Sequence, residues 1–152
     1  MEKDSDQNEE EIKKVNGEFY RAFESLSIES MEKLWKHNEN VVCIHPGWDL
    51  FMGWLAIRES WITIFSNTEM IRFRITNTKI RIFDNKMAVV VCVENIETTA
   101  VDRLIIRIGL IATNVFERNE SNQWLLIHHH GSHVTNYIPP NVSPNESNNL
   151  LC

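Results

Sequence analysis

IRFRITNTKIRI, residues 71–82, is the stretch whose pattern decides the fold. Ile71, Phe73 and Ile75 alternate with Arg72, Arg74 and Thr76, the period of a half-buried strand. Past Asn77 the phase reverses, and Ile80 and Ile82 carry the apolar side. A strand that changes face midway needs an extra residue, a β-bulge, and a bulge bends a sheet sharply. Downstream, Asp84-Asn85 supplies a hairpin turn into a strand at Met87–Val93. Two more strands read as Arg103–Phe116 and Trp124–Val134, joined by the polar turn Asn119-Glu120-Ser121-Asn122.

Upstream the period is helical. Ile12, Val15, Phe19, Phe23 and Leu26 recur every three or four residues, with Lys13, Lys14, Glu18, Arg21 and Glu24 on the other faces. A short second helix carries Ile28, Met31, Leu34 and Trp35, and Val41–His45 reads as a strand stopped by Pro46-Gly47. A third helix starts near Gly53, with Trp54, Ile57, Trp61, Ile64 and Phe65 as its stripe. Helices followed by a run of antiparallel strands predict an α+β fold in which a strongly bent sheet wraps around three N-terminal helices. Residues 1–11 are expected to be a flexible acidic lead-in and 12–135 the domain. The Pro-, Asn- and Ser-rich stretch 136–152 is expected to be a disordered tail.

The chain has 152 residues, 43% of them hydrophobic and 24% charged, enough for one domain with a real core. Net charge is -6 and no Lys/Arg cluster stands out, which argues against a nucleic-acid partner. No signal-peptide pattern or apolar run of membrane length is present, so no membrane partner is expected. Cys43, Cys92 and Cys152 lack metal-type spacing and read as reduced thiols of a cytoplasmic protein.

Four stretches together carry a resemblance: Phe19-Tyr20-Arg21-Ala22-Phe23, Cys43-Ile44-His45-Pro46-Gly47-Trp48, Ser60-Trp61 with Ile64-Phe65, and Thr113-Asn114-Val115-Phe116 followed by Trp124 and His128-His129-His130-Gly131-Ser132. The chain from about Val15 to Val134 resembles the nuclear transport factor 2-like superfamily, and within it SnoaL-like, ketosteroid-isomerase-like proteins. The resemblance implies a cone-shaped half-barrel with a small-molecule pocket between helices and concave sheet, and a homodimer through the convex face. It includes isomerases, cyclases, dehydratases, transport factors and a kinase-association domain, so fold alone does not choose an activity. No cofactor is implied.

Ketosteroid isomerase uses a carboxylate base with an oxyanion hole of a tyrosine and a protonated aspartate. By motif position, Tyr20 matches the oxyanion tyrosine, His45 stands where the base is, and Asn114 stands where the protonated aspartate is. A histidine can serve as base near neutral pH, and an asparagine amide can donate to an enolate without a raised pKa. This trio is the candidate catalytic set for proton abstraction next to a carbonyl; the alternative is a non-catalytic ligand-binding or dimeric assembly module.

Phe23, Cys43, Trp48, Trp61, Phe65, Ala112 and His129 are the expected ligand contacts, Trp48 as a lid over the mouth or packed back on the domain. By strand parity Val41, Cys43 and His45 share a face, as do Leu110, Ala112, Asn114 and Phe116, each set apolar with one polar group. Glu94 and Glu97 are candidate acids or bases if they point inward, edge solvation being the other reading. His128 and His130 share one face of the last strand, outward with Trp124, while His129 points inward with Leu125 and Ile127. A metal at the outward pair would need a third ligand such as His45 or His133, and no carboxylate or cysteine has the spacing to complete it.

Overall fold

The computed structural model describes residues 2–100 and 104–140. Its elements run α1 Glu2–Ser25, α2 Ile28–Glu32, β1 Val42–Ile44, β2 Phe51–Met52, α3 Trp54–Ser66, β3 Thr68–Phe83, β4 Met87–Ala100, β5 Ile105–Arg118 and β6 Trp124–His133. The strands form one sheet in the order β2-β1-β6-β5-β4-β3, with β1 and β6 parallel and the other neighbours antiparallel. The result is a curved α+β cone with the helices against the concave face.

The bulge lies where the phase reversal put it. Thr76 pairs with Val93 and Lys79 with Val91, so Asn77 and Thr78 together oppose the single residue Cys92. Asn77 adopts φ 53, a left-handed conformation that asparagine tolerates better than most residues. Asp84 and Asn85 sit at φ 52 and 54 in the turn 84–86 that joins Phe83 to Met87, with Lys86 N–H donating to the Phe83 carbonyl at 3.0 Å.

Three differences from the sequence expectation matter. Residues 2–11 are not a flexible lead-in: they form the first turns of α1, where Asn8 is buried and its Nδ2 donates to Asn85 Oδ1 at 3.0 Å. Second, β6 does not keep one phase. Val115 pairs with His128 but Phe116 with Leu126, leaving Ile127 as an extra residue. Trp124 and Leu126 therefore face inward before that point and His129 and Gly131 after it. So Trp124 is buried, with its indole N–H donating to Glu11 Oε2 at 3.1 Å, and His129 does not share a face with Leu125 and Ile127. Third, Tyr137 lies beyond the domain boundary expected at 135, yet its ring packs on Gly109 and its hydroxyl donates to Asn95 Oδ1 at 2.6 Å. The rest of the expected tail, 141–152 with Cys152, lies outside the described residues, as does Arg103.

The core sits between α1, α3 and the concave face. Phe19, Trp35, Trp61, Phe116 and Leu126 are among its buried side chains. Trp61 has Phe23 at 4.8 Å, Phe65 at 5.7 Å and Phe19 at 5.9 Å between ring centroids. No helix among the described residues is long and apolar enough to cross a membrane.

Candidate functional site

One turn of α1 separates Asn16 from Tyr20, which puts both on the face that meets the sheet. Opposite them β4 presents Cys92 and Glu94, β5 presents Asn114, and β6 presents His129, its register partner. All six side chains are buried.

Tyr20 is the hub. Its hydroxyl donates to Glu94 Oε2 at 2.5 Å and accepts from Asn114 Nδ2 at 3.1 Å; Cys92 Sγ lies 3.3 Å away. With the phenol proton directed at Glu94, the thiol is left as donor to the same oxygen. Asn114 Nδ2 also donates to Asn16 Oδ1 at 2.9 Å, which fixes the amide orientation. Its Oδ1 can only accept, so the 2.5 Å contact from His129 Nδ1 is an N–H donation and leaves Nε2 as the bare nitrogen. A continuous hydrogen-bonded chain thus runs His129–Asn114–Tyr20–Glu94.

Burial sets the charges. Desolvation raises the Glu94 carboxyl from 4.5 to about 7, against the lowering effect of the Tyr20 hydrogen bond. Tyr20 is pushed upward, first by burial and then by the Glu94 charge beside it, so the phenol stays protonated. Burial, with the neighbouring histidines, lowers His129 to about 3 and keeps it neutral. Cys92 rises to about 11, chiefly through burial.

The structure brings Tyr20 and Asn114 into direct contact, while His45 makes other bonds. Its Nε2 lies 2.8 Å from Ser60 Oγ, whose proton goes to the Ile57 carbonyl at 2.6 Å, so His45 donates and keeps Nδ1 bare. It packs edge-on to Trp61 at 4.7 Å and to Trp48 at 5.3 Å, and burial lowers its pKa to about 4. β6 intervenes between β1 and β5, and it is Cys43 that lies in register with His129 and Asn114, so the backbones of His45 and Asn114 stand more than two strand spacings, about 10 Å, apart.

Of the expected ligand contacts, Cys43, Trp61, Phe65, Ala112 and His129 are buried, Phe23 is half-buried and Trp48 is exposed, its ring against His45 and Phe51. His128 and His130 lie on the outer face with rings 6.5 Å apart. Among the described residues no group of three or more His, Cys, Asp or Glu is placed to hold a metal ion.

Two site residues were harder to see in the sequence. Glu94 shares its buried phase with Val90 and Cys92, but Val89, Val91 and Val93 make the other phase apolar too, so the sequence carried no signal for the side it takes. Asn16 was marked only by standing four residues before Tyr20. A cleft of about 320 Å³ between α1 and β3 reaches Tyr20; it is lined by Glu9, Lys13, Asn16, Gly17, Ile75, Thr78 and Ile80.

The sequence pattern of the SnoaL-like domain matches residues 12–136. Over 118 residues, 78% of this chain, the sequence is 30% identical to the F-box protein SKIP8 of Arabidopsis thaliana, of which the match covers 47%. The chain thus spans about half the length of that relative. Among solved structures, a candidate dehydratase of the nuclear transport factor 2-like family from Streptomyces avermitilis is 29% identical. The match covers 86% of this chain and 98% of that one, with TM-score 0.78. A nuclear transport factor 2-like superfamily protein from Salmonella enterica, 14% identical, shares the fold at TM-score 0.80 over 91% of this chain and 99% of that one.

Proposed function

The chain belongs to the SnoaL-like domain family, and from that premise we propose that it is a small-molecule enzyme, an isomerase, cyclase or dehydratase, that moves a proton next to a carbonyl. The observation that carries the reading is the Tyr20 hydroxyl held between Glu94 at 2.5 Å and Asn114 at 3.1 Å. Glu94 is the base, in the place that motif position gave to His45. The Tyr20 and Glu94 oxygens are spaced close to the separation of an α-carbon from its own carbonyl oxygen. One substrate can therefore present its C–H to Glu94 and its oxygen to Tyr20.

In this scheme the ionised Glu94 holds the Tyr20 proton until reaction. The substrate C–H bond breaks, its proton forms an O–H on Glu94, and the electron pair moves onto the carbonyl oxygen. Protonated Glu94 is only a weak, neutral acceptor, so Tyr20 turns its O–H to the stronger, charged enolate oxygen, while Asn114 steadies the phenol. His45, neutral and bonded to Ser60, helps hold the wall that includes Trp61. The likeness to a candidate dehydratase supports a lyase or isomerase reading for a carbonyl-bearing, largely apolar ligand.

The test is exchange of α-hydrogen for deuterium in simple ketones, acetophenone and 2-cyclohexenone, followed by NMR. The expected result is exchange that rises with pH through a midpoint near 7 and is lost in both Glu94→Gln and Tyr20→Phe. Exchange that persists in Glu94→Gln and disappears in His45→Ala would return the base to His45.

A second reading, a dimeric binding or assembly module, is favoured by the convex face. Val89, Val91, Val93 and Val115 are only half-buried there and Ile111 is 44% exposed, an apolar surface suited to a second copy. Tyr137 covers its Asn95–Gly109 end. Both readings accommodate a homodimer, and the free, buried thiols of Cys43 and Cys92 fit a reducing compartment such as the cytoplasm.

A further inference from the structure

We infer that the ligand of the Tyr20–Glu94 site is a small, uncharged, largely apolar carbonyl compound that arrives through the flank of the cone, between Gly17 of α1 and the β3 bulge, and not past Trp48. What the ligand meets at the end of this route rests on the proton-transfer reading; the route itself is tested separately.

Three independent features open the flank at one place. The bulge sets Asn77 and Thr78 against Cys92 alone, so β3 bends opposite the residue whose Sγ lies 3.3 Å from the Tyr20 hydroxyl. Across the gap, α1 carries a glycine in its interior, a position that favours alanine in a helix. The nearest atoms that a Cβ there would meet belong to the Arg21 guanidinium, at 3.1 Å, the far end of a flexible side chain, so tight core packing does not require a glycine. With no side chain of its own, Gly17 leaves the cleft wall there to its backbone, beside Tyr20, with the Arg21 guanidinium next to it. The third feature is the lining. Ile75, the register partner of Glu94, and Ile80, the partner of Val90, form apolar walls on the two sides of the bulge. The charged lining residues are Glu9 and Lys13; Lys13 lies 3.7 Å from Glu9 and bonds the adjoining Glu10 at 3.3 Å, so its cation is already paired and offers little to an anionic ligand.

At about 320 Å³ the cleft is at the small end of ligand sites, suited to a ring compound of one or two rings. The opposite end of the interior is closed differently: Trp48 packs edge-on to His45 and beside Phe51, and Cys43 lies behind them, fully buried.

The two buried cysteines make the route measurable without knowing the ligand. Cys92 Sγ lies 3.3 Å from the hydroxyl of Tyr20, the residue the cleft reaches, and Cys43 lies beside His45 at the Trp48 end. In a Cys152→Ser background, methyl methanethiosulfonate, small and uncharged, is added to the folded protein and methylthiolation of each cysteine is followed by peptide mass spectrometry. The Cys92 thiolate displaces methanesulfinate and gains the S–S–CH3 group, so no outside oxidant is needed. Cys92 is expected to react faster than Cys43. Gly17→Leu, which fills the cleft, brings Cys92 down to the Cys43 rate, the rate set by opening of the whole fold. Ile80→Trp fills it from the other wall and gives the same result should Gly17→Leu fold poorly. Trp48→Ala is expected to speed Cys43 and leave Cys92 unchanged. Equal rates for the two cysteines in the unplugged protein, or a Cys92 rate indifferent to both plugs, would overturn the route. Failure of ketone exchange with the cysteine pattern intact would instead count against the proton-transfer reading alone.

Discussion

Replacing Glu94 with Gln is expected to stabilise the fold by about 3 kcal/mol at pH 8, a gain that shrinks to below about 1 kcal/mol at pH 5. The sign follows from burial. The folded chain holds the Glu94 proton up to about pH 7, while the unfolded chain releases it near 4.5. Between those values the folded state binds the extra proton, so stability falls as pH rises through the window and stays lowered above it. Glutamine keeps the shape and a hydrogen-bonding group beside Tyr20 but never ionises. His45 and His129 act in the opposite sense: lowered to about 4 and about 3, they leave the fold less stable as pH drops below the ordinary histidine value of 6.5. Both proteins share those histidines, so the difference between their stability curves isolates Glu94. Urea unfolding at the two pH values measures it. A variant equally destabilised at both would mean that Glu94 carries no ionisation penalty in the fold.

The other large effect is expected at Trp61, where Trp61→Ala should cost about 3–5 kcal/mol, a large share of a domain's stability. Trp61 is fully buried among Phe19, Phe23 and Phe65, and is the wall against which His45 packs at 4.7 Å. Removing it leaves a cavity and admits water, so the His45 pKa should climb from about 4 back toward 6.5, read from the imidazole proton signals. Trp61→Phe should cost less than the alanine change. The buried indole N–H has no hydrogen-bond partner among the described residues, so phenylalanine removes an unsatisfied donor along with some volume. A loss under about 1 kcal/mol for Trp61→Ala, with His45 unmoved, would show that the aromatic cluster does not hold this end of the interior.

Some of this was legible in the sequence because the signals were local. The phase reversal around Asn77 marked the bulge, and Asp84-Asn85 marked the hairpin. Val41, Cys43 and His45 share the buried side of β1, as Leu110, Ala112, Asn114 and Phe116 share that of β5. The rest was hidden for definite reasons. In β4 both phases are apolar: Val89, Val91 and Val93 line an uncovered convex face, so alternation did not say which side Glu94 takes. In β6 the phase change falls within Leu125-Leu126-Ile127-His128, where neighbouring apolar residues conceal it, and Trp124 was therefore turned the wrong way. Asn16 gains its meaning only from Asn114, 98 residues away in the chain. His45 was assigned by motif position, which fixes a place on β1 but not the partner its ring selects.

The account stands on a buried Glu94 that exchanges its proton near neutrality under the Tyr20 hydroxyl. The direct measurement is a carbon-13 NMR titration of side-chain carboxyls in glutamate-labelled protein, with Glu94→Gln assigning the resonance. A Glu94 signal that titrates with a midpoint near 7, and moves higher in Tyr20→Phe as the hydrogen bond that lowers it is removed, is the predicted result. A Glu94 signal that titrates near 4.5 and ignores Tyr20→Phe would contradict the site as described.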